Sequence, residues 1–363
     1  MIMEDIQRDI TLKDYTSYKV GGPAEYFFIA KNIEELKRAL VWAKDKGLKT
    51  TILGGGSNVV ISDKGLMGLV IVNKSHDIDI EGNSVRADSG VLLKALVNKV
   101  LESGKGGIEF LANIPGTVGG AVAVNAGCYR KFAADFLISA TIFHSRASDG
   151  NTLKVAEQSG DSFRVEEEWM NGCIEEVGKD SSSVTKWNRE EENVKLGGLS
   201  IPLHQVTGGQ VKSSNKPMFC VEKVKNDFFE FKYRSSKIKR GYEAIVLDAT
   251  FEINDTDMGE SRKFITEDRE RRDMKHPTEP SCGSYFKNPS KENIAGELIE
   301  KSGIKGYQIG GAQVSEKHAN FIINTGEANA SDIKNLANYI KKIVKEKTGL
   351  ELEEEVKYLG EFE

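Results

Sequence analysis

The sequence predicts an α+β protein of more than one domain, and three observations lead there. An amphipathic helical pattern lies between two strand patterns, the second of which runs straight into Gly54-Gly-Gly-Ser-Asn58. A second strand-then-helix pattern leads to another small-residue stretch, Ile114-Pro-Gly-Thr-Val-Gly-Gly-Ala-Val-Ala-Val-Asn-Ala-Gly127. A final region, set off by His276-Pro-Thr-Glu-Pro280, carries short strands and a long amphipathic helix.

In chain order, a short strand is expected at 25–29. Asn32-Ile-Glu-Glu35 then reads as a cap with a carboxylate three residues on, opening a helix that turns Ile33, Leu36, Leu40 and Ala43 inward and stops at Gly47. Residues 49–53 form a strand delivering the chain to the glycines, and 69–72 continue the sheet. In open α/β sheets the loop at a strand's carboxyl end is where ligands bind. After a strand at 85–87, Ser89 is expected to cap a helix bearing Val91, Leu92, Leu96, Val100 and Leu101. The stretch 114–127 is too glycine-rich for one ordinary helix or strand, so its backbone is expected against a ligand or another segment.

Between 149 and 227 the apolar period is broken by Glu166-Glu-Glu168, Ser181-Ser-Ser183 and Glu190-Glu-Glu192, while Trp169, Trp187 and 199–203 suggest that parts fold. Alternating Ile245, Leu247, Ala249 and Phe251 restore a strand. A charged helix at 261–275, a helix at 295–300 and a strand at 320–324 follow. A last helix is expected from a cap at Ser331, with Ile333, Leu336, Ala337, Ile340, Ile343 and Val344 inward and Gly349 as its stop; strand character returns at the end of 350–359.

Composition narrows the function. At 363 residues the chain is long for one core, and 39% apolar residues suffice for several. A formal net charge of −5 argues against nucleic acid or an acidic membrane as main partner. No secretory signal or membrane-length apolar run is present, so a cytoplasmic protein is expected. Cys128, Cys173, Cys220 and Cys282 lack metal-ligand spacing, which predicts reduced thiols and no metal.

Three consecutive glycines after an apolar run let successive N–H groups converge on an anion, which makes Gly54, Gly55 and Gly56 a phosphate cradle. No Gly-Lys-Ser or Gly-Lys-Thr follows, and the G-x-G-x-x-G spacing is absent.

Together, Tyr15-Thr-Ser-Tyr-Lys-Val-Gly-Gly-Pro-Ala24, Leu53-Gly-Gly-Gly-Ser-Asn58, Gly107-Ile-Glu-Phe-Leu111 with 114–127, Phe231-Lys-Tyr-Arg-Ser235, Ser281-Cys-Gly-Ser-Tyr-Phe-Lys-Asn-Pro289, Gly310-Gly-Ala-Gln-Val-Ser-Glu-Lys-His-Ala-Asn320 and Glu355-Val-Lys-Tyr-Leu359 resemble one family. It is the UDP-N-acetylenolpyruvoylglucosamine reductases (MurB). The segments keep the family's order and span nearly the whole chain.

The resemblance implies a two-subdomain FAD-binding fold of the vanillyl-alcohol-oxidase (PCMH) type followed by a C-terminal α+β substrate domain. The expected division is a first subdomain at 1–80 rejoined by 351–363, a second at 81–260 carrying an insertion at 150–226, and a substrate domain at 261–350. It implies non-covalent FAD held by Gly54, Gly55, Gly56, Ser57 and Asn58 on one side and by Pro115, Gly116, Thr117, Gly119, Gly120, Asn125 and Gly127 on the other. NADPH is implied as reductant, UDP-N-acetylglucosamine enolpyruvate as substrate, and peptidoglycan precursor synthesis as the setting.

Three positions match the family's catalytic residues. Ser284 is the implied acid that protonates the carbon next to the substrate carboxylate. Arg234 is the implied clamp on that carboxylate, whose geometry a charged planar fork suits. Glu355 is implied to stay protonated opposite it and to donate a hydrogen bond. Tyr233, Lys287, Asn288, Gln313 and Lys317 are the implied substrate-gripping residues. His318 is read as structural and Cys282 as a small packing residue.

The connection between Tyr129 and Tyr233 exceeds the family's usual one by roughly 60 residues, long enough for a lid, a protein-contact module or a tolerated surface segment. Asn113 stands where the family more commonly has glycine. With no room for a later capping loop, the chain resembles the shorter, type II subgroup. Two rival readings remain open on the residues alone, a flavin oxidase of the same superfamily and a flavin-binding scaffold or redox sensor.

Overall fold

The computed structural model describes residues 5–146, 193–196, 199–202 and 218–362. The chain forms two compact units, one of 1–141 with 223–363 and one of 142–222. In the second, the strands Asn193–Leu196 and Leu199–Pro202 pair antiparallel. Trp169, Trp187 and the three acidic and serine runs lie outside the described residues, and with them most of the expected insertion. The rest concerns the larger unit.

Its N-terminal sheet is built from β1 (Gln7–Thr11), β2 (Pro23–Ala30), β3 (Thr50–Leu53) and β5 (Leu66–Asn73), in the order β1-β2-β5-β3. Strand β1 was not expected, because every residue of Gln7–Thr11 except the half-buried Ile10 is exposed and the run carries no apolar alternation. Strands β2 and β3 both run parallel to β5, and β2 is joined to β3 by helix α1 (Ile33–Asp45). Asn32 caps α1 by accepting from Glu35 N at 2.8 Å, while Glu35 Oε2 accepts from Lys31 N, so two end donors are satisfied at once. Leu36, Ala39, Leu40 and Ala43 are buried, and Gly47 takes the positive φ that ends the helix. The short β4 (Val59–Ile61) pairs in parallel with the strand Lys357–Leu359, so the chain's end returns beside the glycine loop.

In the second sheet Ala244–Glu252 pairs antiparallel with β7 (Ser84–Asp88), which pairs antiparallel with β6 (Ile78–Glu81). Helix α2 (Leu93–Glu102) starts later than expected and has no side-chain cap. Ser89 does not cap it: its hydroxyl accepts from Asn73 Nδ2 at 2.8 Å, and its carbonyl accepts from Gly119 N at 2.9 Å. The small-residue stretch, against expectation, contains a regular helix, α3 (Val118–Val124). Thr117 caps it, and Gly119, which argues against a helix, is there for packing: a Cβ on it would stand 2.7 Å from Ser89 Cβ.

Asp88 closes β7 with a carboxyl that is 1% exposed and one oxygen, Oδ1, without a hydrogen bond. Burial pushes its pKa up to about 6 from an ordinary 3.8, helped by Asp77 and Asp248 and opposed by the Asp77 backbone donor and by Arg86. A raised carboxyl favours the folded state fully below its unfolded value, and this contribution is lost as pH rises through the folded one. Across pH 3 to 7 the loss comes to about 3 kcal/mol. Asp88→Asn is therefore expected to flatten the decline of stability over that window, which urea unfolding at both ends measures; parallel profiles for variant and wild type would refute it.

Helix α4 (Met258–Lys275) opens on Asp257, whose side chain accepts from Gly259 N and Glu260 N. Its buried Asp268 holds Arg272, Tyr129 and Asn113. Burial pushes the Asp268 carboxyl up, but the bonds from Tyr129 and Asn113 and the Arg272 charge bring it below the usual range. The departure at Asn113 is thus not trivial, since its amide donates to both Asp268 Oδ2 and Ile265 O and ties α4 to the chain before Pro115.

Beyond the prolines lie α5 (Ala295–Lys301), α6 (Ala330–Thr348) and a three-stranded sheet of Gln308–Ile309, Ala312–Val314 and Ile322–Asn324. Asn329, not Ser331, caps α6, with Asp332 completing a capping box. Asp63, from the loop after β4, accepts from Ala330 N and Ser331 N at 2.8 and 3.1 Å, pinning the helix start to the N-terminal sheet region. Ile333, Leu336, Ala337, Ile340 and Val344 are buried as the period predicts; Ile343 packs half-buried against them.

Candidate active site

The loop after β3 lies directly against the stretch that leads into α3. A Cβ on Gly54 would fall 2.3 Å from Thr117 Oγ1, one on Gly55 3.3 Å from Gly116 Cα, and Ser57 Oγ donates to Pro115 O at 2.9 Å. Gly56 has φ +60°, and a Cβ there would meet Tyr15 O at 2.0 Å, so only glycine fits. Among the described residues, no backbone N–H from Gly54 to Asn58 finds a protein acceptor. A run of unpaired donors around a left-handed residue is a nest for an anion. These donors fit a diphosphate, the charge-bearing part of FAD, without a lysine. Gly120 N turns instead to Thr117 Oγ1, at 3.4 Å.

Two residues assigned to this wall are fully engaged in structure. Asn125 ends α3 in the left-handed conformation, donates to Lys232 O at 3.0 Å and accepts from Ala134 N at 3.1 Å. Gly127 pairs with Phe132, where a Cβ would lie 2.3 Å from Lys131 O.

Through Asn125 the end of α3 grips a tight turn. Lys232 and Ser235 exchange both backbone hydrogen bonds, at 2.9 and 3.1 Å, with Tyr233 and Arg234 between them. Arg234 takes φ +53° at the third position of this turn, which glycine ordinarily fills. Tyr233 is 49% exposed and meets Phe132 edge-on. Arg234 Nε stands 3.1 Å from Glu355 Oε1, an ion pair without hydrogen-bond alignment. The terminal nitrogens of the guanidinium have no hydrogen-bond partner among the described residues, so the fork is open to another carboxylate.

Ser284 and Glu355 are carried on facing segments. Phe286 bridges Glu354 antiparallel, Glu355 N donates to Tyr285 O at 2.8 Å, and Lys287 N donates to Glu353 O at 2.8 Å. Tyr285 and Phe286 are buried and anchored through Asn320, which bonds Phe286 by both its amide oxygen and its nitrogen. Ser284, between them and the open Gly283, is exposed, and its hydroxyl has no partner among the described residues. Burial pushes the Glu355 carboxyl up against the pull of Arg234, Lys239 and Lys287. Asn58 links the two halves of the site, donating to Glu355 O at 3.4 Å and accepting from Lys357 N at 3.1 Å.

The remaining assignments separate. Lys287 pairs with Glu353. Asn288 accepts from Ala295 N at 3.0 Å and so caps α5. Gln313 and Lys317 line a cavity of about 190 Å³ with Pro277, Glu279 and Ser315, which contains none of Arg234, Ser284 and Glu355. His318 accepts from Asn320 N, and Cys282 is a core thiol that burial pushes up to about 12, in keeping with structural roles for both. Of the described cysteines, Cys128 and Cys282 carry free thiols. Lys239 was missed: within Lys237-Ile-Lys-Arg240 it reads as a solvated basic run, yet its ammonium turns inward to Glu355 O at 3.0 Å.

Comparison with known proteins agrees with this geometry. Residues 24–155 match an FAD binding domain, and 275–359 match the C-terminal domain of UDP-N-acetylenolpyruvoylglucosamine reductase. The UDP-N-acetylenolpyruvoylglucosamine reductase of Clostridium novyi (strain NT) is 35% identical, covering 99% of this chain and 93% of the relative. That of Acaryochloris marina is 34% identical, covering 99% and 94%. The crystal structure of the Thermus caldophilus enzyme (MurB) superposes with a TM-score of 0.67 at 26% identity, covering 98% of this chain and 99% of that one. An FAD-binding fold with its C-terminal domain, matched over nearly its full length, means that this chain belongs to the UDP-N-acetylenolpyruvoylglucosamine reductase family, whose members are FAD-dependent oxidoreductases.

Proposed function

We propose that this protein reduces UDP-N-acetylglucosamine enolpyruvate to UDP-N-acetylmuramate with NADPH, in peptidoglycan precursor synthesis in the cytoplasm. The observation that carries this is the grouping of Arg234, Glu355 and the Ser284 segment one hydrogen bond from the glycine loop, through Asn58. FAD, when bound, would supply the hydride-transfer chemistry between NADPH and the enolpyruvyl double bond. Arg234 holds the substrate carboxylate with its open fork and opposes the charge that gathers there, a kind of interaction worth about 3 kcal/mol per donor. Glu355, whose carboxyl burial pushes up, donates a hydrogen bond to the same group in its protonated form. The Ser284 hydroxyl, without a partner among the described residues, delivers the proton to the adjacent carbon. Tyr233, Lys287, Gln313 and Lys317 serve the nucleotide sugar, with Asn288 bracing their segment. The domain division read from the sequence, and a partner-contact or lid role for the insertion, belong to the same proposal.

Mixing the protein anaerobically with NADPH and then with the enolpyruvyl sugar tests the function. The flavin is expected to bleach and then recover its colour on adding the sugar. If colour returns only with oxygen, or NADPH never bleaches it, the oxidase or the scaffold is the correct reading. No described helix is long and apolar enough to cross a membrane.

A further inference from the structure

We propose that Lys239 is a positioning residue for Glu355, fixing its backbone and setting the charge around its carboxyl; this rests on the reductase reading above. Lys239 sits five residues after Arg234 on one pinned segment. Ser236 Oγ donates to Ala123 O at 2.6 Å and accepts from Lys239 N at 3.2 Å, fastening the segment to α3. The two cations of this segment therefore reach one residue by different routes. Arg234 stands at the Glu355 carboxyl, and Lys239 Nζ bonds the Glu355 carbonyl at 3.0 Å.

Asn58 Nδ2 reaches that carbonyl from the glycine loop at 3.4 Å, while Glu355 N is held by Tyr285 O at 2.8 Å. Both backbone groups of Glu355 are thus fixed, one beside Ser284 and the other by Lys239. Among the described residues no carboxylate lies within 4.0 Å of Lys239 Nζ, so its ammonium is half-buried on a carbonyl alone. Burial accordingly pulls the Lys239 pKa down, with Arg234 and Lys287 in the same direction and Glu355 and Glu353 against them. A surface lysine would gain nothing from such a place. The groups facing Glu355 are Arg234 and Lys239 from the turn segment, and Lys287 and Cys282 from the Ser284 segment. Three cations around one carboxyl leave the site able to accept an anionic substrate group.

The test follows the pH dependence of flavin reoxidation by the enolpyruvyl sugar, separately from reduction by NADPH. Lys239 favours ionised Glu355, and activity needs it protonated, so the alkaline limb falls as pH rises through the Glu355 pKa. In Lys239→Met, reoxidation is expected to drop about tenfold on its plateau, with reduction little changed. The alkaline limb should move to higher pH because a cation has gone. Lys239→Arg should return the limb to its wild-type position and recover most of the rate. Wild-type-like reoxidation in Lys239→Met, or a slower rate with the limb unmoved in both variants, overturns the proposal. A wild-type protein that the sugar cannot reoxidise refutes the reductase reading instead, so the two failures are distinct.

Discussion

Ser284→Ala will leave bleaching of the flavin by NADPH nearly intact and slow its reoxidation by the enolpyruvyl sugar by 10²- to 10⁴-fold, about the range of general acid catalysis. The asymmetry is the point. Reduction by NADPH requires no proton on a substrate carbon, whereas the second half-reaction ends by placing one. The hydroxyl is exposed and has no acceptor among the described residues, and its neighbours Tyr285 and Phe286 are buried and held through Asn320, which suits an acid in this step. Removing one oxygen from an exposed position should cost little stability, because no hydrogen bond is broken and no cavity is left. Stopped-flow absorbance on the two half-reactions decides it. Equal losses in both would mean that Ser284 shapes flavin binding and is not the acid.

How far such roles can be read in a sequence depends on what fixes them. The cap of α1, the periods of α1 and α6 and the stop of α6 are local, so Asn32 with Glu35, the inward Leu36 and Leu40, and the stop at Gly349 could be read directly. The family, too, was legible, since its segments survive in order. Helix α3 was not, because its Gly119 follows from Ser89, which meets it only in the fold. Ser89 itself looked like a cap and is instead a bridge between β5 and α3, a contact set by tertiary packing. The ties made by Asn113 and Lys239 were hidden for the same reason. Their partners, Asp268 and Glu355, lie far along the chain, and no local pattern predicts them. Glu355 among its neighbouring acids could be picked out only by resemblance, whereas the structure distinguishes it by its Arg234 partner and its Tyr285 and Asn58 ties.

Arg234→Gly should abolish most activity while leaving stability close to wild type. Arg234 holds φ +53° in a two-residue turn, a conformation costing a side chain about 1–2 kcal/mol and glycine almost nothing. Glycine gives back up to about 1 kcal/mol through its freer unfolded chain and also loses the ion pair with Glu355, so stability stays close to wild type. The chemistry has no such compensation. Loss of the fork removes the clamp on the substrate carboxylate and one of three cations near Glu355, and reoxidation is expected to fall by about 10²–10³. Arg234→Ala separates the terms, since it lacks the guanidinium but keeps the strained φ. It should match the glycine variant in activity and unfold more easily by about 1 kcal/mol. Urea unfolding of both variants, beside their half-reaction rates, measures each quantity alone. If the alanine variant is as stable as the glycine variant, the turn carries no strain; if glycine keeps more than a tenth of wild-type reoxidation, Arg234 is not the clamp. With strain and a lost rate both found at Arg234, the positive φ is explained by function: the turn keeps an arginine where glycine would fold more easily, because from that position its fork lies open beside Glu355.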